Sequence, residues 1–185
     1  MLREHITDYE PYNEQEMRDR QIMLHIIDNC DDYLLRSNET AHFTASAWVV
    51  NHDRSKVLLI HHNIYNAWTW TGGHADGEED LLQTALREVR EETGLANIKP
   101  VNRDIFSIEI ITVDGHIKSG RYVSSHLHLN VTYLIEADED EALHIKEDEN
   151  SAIGWFEPEK LDMLSDEKWM KELVYAKLQD KLKGE

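Results

Sequence analysis

Three glutamates stand at positions i, i+3 and i+4 of one predicted helix. They are Glu88, Glu91 and Glu92, and at this spacing their carboxylates share one strip of the helix surface. That strip borders an apolar stripe, so we expect the acids to line the rim of a cleft. Each like-charged pair costs about 0.2–0.5 kcal/mol on an isolated helix. A hard cation would reverse this repulsion, and ligands that are all oxygen favour Mg²⁺ or Mn²⁺ over zinc. The alternative is a solvated acidic face.

The helix that carries these acids is predicted from its apolar pattern and its flanking glycines. Gly72 and Gly73 form a predicted loop that leads into the helix, and Gly94 is predicted to end it. Apolar residues recur at helical spacing inside it, which predicts one face packed on a core. These residues are Leu81, Leu82, Ala85, Leu86 and Val89.

The stretch from Gly73 to Leu95 resembles the Nudix box, Gly-x5-Glu-x7-Arg-Glu-U-x-Glu-Glu-x-Gly-U, where U is a bulky aliphatic residue. The match holds at nine positions across 23 residues, about an eighth of the chain. The matching residues are Gly73, Glu79, Arg87, Glu88, Val89, Glu91, Glu92, Gly94 and Leu95. The resemblance implies an α/β fold, an α/β/α sandwich with a mixed β-sheet. It also implies a Mg²⁺-dependent hydrolase that cleaves a diphosphate linked to another moiety.

The resemblance also implies roles for individual residues. Glu88, Glu91 and Glu92 would hold Mg²⁺ or Mn²⁺, and the carbonyl group of Gly73 can join the metal ligands.

Two further roles come from the same resemblance. Arg87 and Glu79 would brace the helix. Family enzymes often supply a water-activating carboxylate from the loop before a late strand that bears a tryptophan. Glu149 lies six residues before Trp155, so it is the predicted general base, with Glu147 as the alternative.

The charge of the chain limits its partners. Acids outnumber bases 37 to 19, giving a formal charge of −18. This charge repels nucleic-acid polymers and anionic membranes, so we expect neither as a partner. A small-molecule diphosphate that binds together with a metal ion is compatible with it.

Length and cysteine content suggest one domain in a reducing compartment. At 185 residues and 41% hydrophobic composition the chain suits a single domain, with 1–38 as an N-terminal helical extension and 39–185 as the Nudix core. The one cysteine, Cys30, forbids an internal disulfide. With no signal-peptide pattern and no 18-residue apolar run, the sequence predicts a cytoplasmic protein.

The N-terminal segment contains one strong helix signal. Residues 1–12 are predicted to be loosely ordered, and Asn13 with Glu16 resembles a capping box that starts a helix to about Leu35. The helix could pack on the sheet or on a second subunit, which leaves a homodimer open. Its apolar positions are Met17, Ile22, Met23, Ile26, Ile27, Cys30 and Leu34.

The other predicted elements follow from alternation and turn signals. Phe43–Val50 and Lys56–His61 are predicted to form a hairpin, and Asp104–Val113 a strand that pairs with a long strand Arg121–Glu136. A last helix is predicted from Ser165 to about Leu182. Its inward residues are predicted to be Trp169, Met170, Leu173, Val174 and Leu178.

The long predicted strand has an apolar face and a polar face that carries two histidines. Leu127, Leu129, Val131 and Tyr133 fall on one face, and Ser124, His126, His128, Asn130 and Thr132 on the other. A His-x-His pair on a strand suggests zinc, but no cysteine cluster accompanies it and the acidic helix explains a metal site better. We therefore take the two histidines as candidate substrate contacts.

Trp70 is a further candidate substrate contact, because Tyr65, Trp68 and Trp70 lead into the glycines. An aromatic ring there could stack on a base or simply close the core.

Two other functions share features with this pattern. An isomerase acting on isopentenyl diphosphate has a similar fold, but its chemistry needs a cysteine near the box glycine, where Gly72 and Gly73 offer none. A non-catalytic nucleotide-sugar sensor usually has a degraded box and a DNA-binding domain, whereas this box is complete.

Overall fold

The fold is a mixed β-sheet with helices on both faces. A computed structural model describes residues 2–63, 66–118, 120–146, 148–163 and 168–184. Within these ranges, eight strands form one sheet in the order β10-β2-β1-β9-β5, with β3 on β2, β4 on β1 and β6 on β9. β1 and β9 are parallel and the other pairs are antiparallel. The predicted α/β fold class is confirmed.

The elements have the following bounds. The helices are α1 (Leu2–Asp8), α2 (Glu14–Asn29), α3 (Leu81–Thr93) and α4 (Ala176–Leu182), with a 3-10 segment at Pro158–Met163 and a π-helical segment at Met170–Tyr175. The strands are β1 (Ala41–Val50), β2 (Val57–His62), β3 (Ala67–Thr69), β4 (Thr71–His74), β5 (Ile98–Pro100), β6 (Ser107–Val113), β7 (His116–Lys118), β8 (Arg121–Val123), β9 (His126–Ala137) and β10 (Asn150–Phe156). No helix in the described ranges is long and apolar enough to cross a membrane.

Strand β1 is the centre of the molecule, buried along its whole length. Its side chains alternate between two apolar clusters, because successive residues of a strand point to opposite faces. Phe43 and Val49 join a cluster with residues of α1, α2 and α3, while Trp48 and Val50 join a cluster with the C-terminal helix. The predicted β1–β2 hairpin is confirmed by the antiparallel pairing of the two strands.

The predicted glycine loop is wrong, because Gly72 and Gly73 lie in strand β4. They pair with Ser46 and Ala45 of β1. A Cβ atom at Gly72 would lie 2.6 Å from Ser46 Oγ and 2.7 Å from the carbonyl oxygen of Ala45. Glycine therefore allows β4 to approach β1 this closely, which the local sequence does not reveal.

The N-terminal segment is more ordered than predicted. Residues 2–8 form α1, because Leu2 and Ile6 are one helical turn apart and both are buried in the first apolar cluster. The cap of α2 is confirmed, since the side chain of Asn13 accepts a 2.9 Å hydrogen bond from the Glu16 amide.

Helix α2 departs from prediction in its end and in its buried face. It ends at Asn29, not near Leu35. Met17 and Ile22 are exposed, whereas Glu16 is fully buried. The helix packs on β6 with a polar face, because Gln15 donates to the Ile108 carbonyl and Asp19 accepts from the Ile110 amide.

The predicted strands in the second half of the chain are shorter than expected. The strand predicted from Asp104 begins at Ser107. The long strand predicted from Arg121 is divided, with Arg121–Val123 pairing in a separate hairpin with β7 and β9 beginning at His126. The predicted apolar face of β9 is confirmed, since Leu129, Val131 and Tyr133 belong to the first cluster and Leu127 packs against it.

The C-terminal helix is partly as predicted. Ser165 lies outside the described residues, and the helix is described over residues 168–182. Met170, Val174 and Leu178 are buried as predicted, but Trp169 and Leu173 are exposed.

A buried ionic network joins α2, β6 and the C-terminal helix. The Lys177 ammonium group lies 3.1 Å from Glu16 Oε1 and 2.9 Å from Glu109 Oε1, and all three side chains are at most 3% exposed. Lys181 contacts Glu16 at 3.2 Å. Burial opposes ionisation of Glu16, but Lys177, the Tyr9 hydroxyl group and Lys181 outweigh it and lower the pKa of this carboxyl group.

We expect Lys177→Met to lower the free energy of unfolding by about 3–5 kcal/mol, since it leaves two buried carboxylates without their shared cation. Lys183→Met is the control, because Lys183 is mostly exposed beside Asp180, and it should change stability by less than about 0.5 kcal/mol. Urea unfolding of the three proteins measures the difference. Equal stability of the two variants would contradict a structural role for the network.

Candidate active site

The candidate site is a cavity of about 1120 Å³ between α3, β4 and β9 and the loop before β10. All of the predicted site residues line it. They are Trp70, Gly73, Arg87, Glu88, Glu91, Glu92, His126, His128 and Glu149. The predicted alternative base, Glu147, lies outside the described residues.

Helix α3 has the predicted bounds and orientation. Its five predicted apolar residues are all buried, and Gly94 ends it with a left-handed φ of 74°. Glycine adopts this conformation without strain. The apolar stripe seats the helix against the sheet, and the acidic strip beside it therefore faces the cavity, as expected.

Glu92 joins the helix to the strand that precedes it. Its side chain is 2% exposed, and Oε2 accepts a 3.0 Å hydrogen bond from the Gly72 amide. The pKa of Glu92 is raised to about 8, mainly by burial and also by the charges of Glu88 and Glu149, against the opposing Gly72 hydrogen bond. The cavity thus holds several carboxylates whose mutual repulsion opposes ionisation of the most buried one.

Glu88 lies directly against the backbone of Gly73. A Cβ atom at position 73 would lie 2.5 Å from Glu88 Oε1, so only glycine leaves room for this carboxylate. Arg87 donates a 2.8 Å hydrogen bond to the same oxygen and a longer one, 3.4 Å, to the His74 carbonyl oxygen. The guanidinium group therefore holds the Glu88 carboxylate beside β4.

The outer part of the site contains Glu91 and Glu149, which are both half exposed. Lys146 lies between them, 3.7 Å from Glu91 Oε2 and 3.0 Å from Glu149 Oε1. Arg87 lies 3.8 Å from Glu91. Lys146 thus links Glu149 to helix α3. Sequence analysis did not identify Lys146.

Glu79 does not take part in the contacts of Arg87. Arg87 pairs with Glu88 and Glu91, and within the described part of the chain no hydrogen bond or ion pair joins it to Glu79. The negative charge of Glu79 acts on Tyr33, whose pKa is raised by burial and by this charge.

The aromatic residues before the glycines divide between core and cavity. Trp70 is 8% exposed and meets Tyr175 edge to face, with ring centroids 5.9 Å apart, so it closes the second cluster and presents only an edge to the cavity. Trp68 is half buried and packs on Phe156 at 4.6 Å. Tyr65 lies outside the described residues. Trp68 offers more of its surface to a ligand than the predicted Trp70.

Four histidines form a group on one wall of the cavity. The register of parallel strands β1 and β9 places His42 beside His128, and His74 follows Gly73 on β4. His126 precedes His128 by two residues and points to the same face. Burial lowers the pKa of His74 to about 3 and that of His128 to about 2. Sequence analysis identified only the pair on β9, because His42 and His74 join it through strand pairing.

A polar network lies behind this wall and connects the cavity to the buried lysine. Asn130 accepts hydrogen bonds from Thr44 and Ser46, at 3.1 and 2.8 Å, and donates one of 3.0 Å to Glu109. Glu109 in turn pairs with Lys177. The polar face of β9 is therefore buried at Asn130. The side-chain amide of Asn130 holds Thr44 and Ser46 of β1, which line the cavity.

A family model described as the NUDIX domain matches residues 40–177. Because this match spans most of the chain and includes the complete box, the chain belongs to the Nudix family.

Two curated relatives are similar over 113 residues, 60% of this chain. A probable DHNTP pyrophosphohydrolase of Lactococcus lactis is 30% identical over 64% of its length, and an asymmetrical bis(5'-nucleosyl)-tetraphosphatase of Mus musculus is 31% identical over 67% of its length. The alignments thus span about two thirds of each relative.

Solved structures share the fold. A C. elegans Ap4A hydrolase in a binary complex covers 77% of this chain and 98% of its own, with a TM-score of 0.54 and 19% identity. A NUDIX family hydrolase from Clostridium perfringens covers 77% of this chain and 96% of its own, with a TM-score of 0.54 and 22% identity.

We expect millimolar Mg²⁺ to raise the melting temperature, because binding to the clustered carboxylates stabilises the folded state by mass action. Glu91→Gln and Glu92→Gln should each shrink the rise, since each removes a charged oxygen ligand. Glu139→Gln is the control, because Glu139 pairs with Lys56 outside this cavity. A Mg²⁺ response that is equal in all four proteins would place the ion elsewhere on the acidic surface.

Proposed function

We propose that the protein is a Mg²⁺- or Mn²⁺-dependent pyrophosphohydrolase that cleaves a diphosphate linkage in a nucleoside-diphosphate-like small molecule. The observation that carries the proposal is that Glu88, Glu92 and Glu149 all line one cavity. Membership of the Nudix family supports a hydrolytic role for these carboxylates. Burial is the main cause of the raised pKa of Glu92, and the charges of Glu88 and Glu149 add to it.

The donor set fits a hard divalent cation. Glu88, Glu91 and Glu92 would hold it, joined by the Gly73 carbonyl group, and all of these donors are oxygen atoms, as Mg²⁺ prefers. The close fit of Glu88 against Gly73 brings the carboxylate and the strand backbone to the same point. When bound, such an ion neutralises phosphate charge and lowers the pKa of a coordinated water molecule.

Glu149 is the proposed general base. Its carboxylate would accept a proton at one Oε atom from the attacking water molecule and would orient that molecule toward phosphorus. The backbone around it is held on both sides, because the Glu149 amide donates to Lys146 and its carbonyl oxygen accepts from Asn63. Its charge reaches Glu92, so the base and the metal ligands share one local environment.

Basic side chains in the cavity offset the negative charge of the chain. Lys146, Arg87, Arg36 and Lys118 all line it. Lys146 lies between Glu91 and Glu149, and it can move its ammonium group to a phosphate oxygen when a cation takes its place beside Glu91. A substrate phosphate therefore has basic partners in the cavity, although acids outnumber bases there as they do in the chain.

The aromatic part of the cavity suits the other moiety of the substrate. Trp68 presents its half-buried ring there, and Tyr122 and Tyr175 also line the cavity. Such rings stack on planar heterocycles. The names of the relatives refer to a pterin triphosphate and to dinucleoside tetraphosphates, so these two classes head the list of substrates to test.

The isomerase alternative gains no support from the site. Cys30 is the sole cysteine of the chain, and it follows the end of α2 and is not among the residues that line the cavity.

We expect the metal-free protein to hydrolyse none of a panel of dinucleoside polyphosphates, nucleoside diphosphate sugars and pterin triphosphates, and Mg²⁺ or Mn²⁺ to restore release of phosphate or pyrophosphate. Glu92→Gln should lower kcat by orders of magnitude, because a neutral amide oxygen is a poor ligand for a hard cation. Full turnover with chelator present and zinc removed would refute the metal requirement.

We expect Glu149→Gln to lower kcat at least ~10²-fold, which is the usual scale for loss of a general base, while KM and the melting temperature change little. Glu139→Gln, at a similarly acidic loop outside the cavity, should retain near-normal turnover. Steady-state kinetics on the best substrate of the panel measures both. If Glu149→Gln also retains turnover, the base lies elsewhere, and Glu147→Gln is then the next variant to assay.

A further inference from the structure

A cluster of histidine nitrogen atoms lies on the cavity wall, apart from the oxygen donors of α3. We propose that His42, His74 and His128 form a binding site for a transition-metal ion of the Zn²⁺ class, with His126 beside it. This site is separate from the glutamate site and does not depend on the proposed hydrolysis.

The first support is proximity. One ring nitrogen from each of His42, His74 and His128 lies within 4.8 Å of the other two. Nitrogen ligands about 2.0–2.1 Å from a Zn²⁺ ion stand about 3.3 Å apart around a tetrahedron, so binding of an ion would draw the three nitrogen atoms together by about 1.5 Å at most. The three histidines come from three different strands, β1, β4 and β9. Packing of a core does not require three imidazole rings to lie together.

The second support is a buried nitrogen without a partner. His42 is 4% exposed, and its Nε2 atom has no hydrogen-bond partner among the described residues. Its Nδ1 atom lies 2.9 Å from the Asn38 carbonyl oxygen, and since a carbonyl group only accepts, Nδ1 carries the hydrogen. The lone pair of Nε2 therefore points into the group, in the tautomer that a metal-binding histidine with an outer carbonyl partner adopts.

The third support is His126, which is held in the same way. Its Nδ1 atom lies 2.8 Å from the Ser124 carbonyl oxygen, and its Nε2 atom lies 3.2 Å from Nε2 of His128. That separation matches two ligands of one tetrahedral ion as well as it matches a hydrogen bond. His126 thus lies next to the three-histidine group and contacts it through His128, while its ring stacks on that of His42 at 5.0 Å.

The chemistry of the donors sets the class of metal. Imidazole nitrogen suits Zn²⁺, Cu²⁺, Ni²⁺ and Fe²⁺, whereas Mg²⁺ and Ca²⁺ prefer oxygen. Arg36, whose charge acts on the three histidines, is paired with Asp76 at 2.5 Å, and Lys118 also acts on His74. The one cavity thus has an oxygen-lined side at Glu88 and Glu92 and a nitrogen-lined side at the histidines.

Titration of the chelator-treated protein with Co²⁺ tests the site through the visible absorption of the ion, which reports nitrogen ligands and tetrahedral geometry. We expect one strongly absorbing Co²⁺ per chain, displaced by Zn²⁺. His42→Asn and His128→Asn should weaken binding at least about 10²-fold, at or beyond the 10- to 100-fold loss seen when an outer partner is removed. His52→Asn is the matched control, because the His52 side chain is 90% exposed outside the group.

Glu92→Gln separates this site from the glutamate site and should keep the Co²⁺ absorption. Loss of the Co²⁺ absorption in Glu92→Gln would overturn the proposal. Retention of the absorption in both His42→Asn and His128→Asn would also overturn it. X-ray absorption at the zinc edge of the wild-type protein needs no variant to fold. It should show imidazole nitrogen at about 2.0–2.1 Å, and an oxygen-only environment would also overturn the proposal.

Discussion

The close approach of α3 to β4 is the constraint on which the site depends. Two glycines of β4 take part in this contact. The Gly72 amide donates a 3.0 Å hydrogen bond to Glu92, and Gly73 leaves space for the Glu88 carboxylate. A side chain at Gly72 would push β4 away from β1, and a side chain at Gly73 would displace the Glu88 carboxylate. Glu88 and Glu92 consequently lie against the backbone of β4 instead of pointing into solvent. Their carboxylates repel each other, and a bound cation would remove this repulsion.

Tertiary packing of the surrounding elements supports this contact. β4 is held by β1, which in turn pairs with β9, and the Asn130 side chain of β9 links the cavity wall to Glu109 and Lys177. Charged groups so deeply buried contribute little net stability, because desolvation offsets much of their attraction. Their arrangement instead fixes how the N-terminal helix, the sheet and the C-terminal helix fit together behind the cavity.

Local sequence signals predicted some parts of this architecture and could not predict others. The bounds of α3 followed from its apolar stripe and from Gly94, and the Asn13 cap followed from its spacing to Glu16, since helices are determined by contacts three and four residues apart. Gly72 and Gly73 were misassigned because β4 exists only through pairing with β1. His42 and His74 were missed for the same reason, since strand register brings them to His128.

The other wrong predictions concern polar residues that are buried and apolar residues that are exposed. Glu16 was predicted only as a cap residue, yet it is a buried partner of Lys177, 161 positions away. Met17, Ile22 and Leu173 are apolar and exposed, so hydrophobicity alone chose the wrong faces. Glu149 was found by its spacing to Trp155, but Lys146 carries no pattern that distinguishes it from other surface lysines.

The central claim is that the carboxylates of α3 hold a divalent cation against the backbone of β4. Anomalous X-ray scattering from Mn²⁺ in crystals of the protein tests it most directly. The account predicts a peak bonded to oxygen atoms of Glu88 and Glu92, on the side of the helix that faces Gly73. A peak found solely at the histidines or on the outer acidic loops, with Glu92 still bound to Gly72 and no ion beside it, would contradict the account.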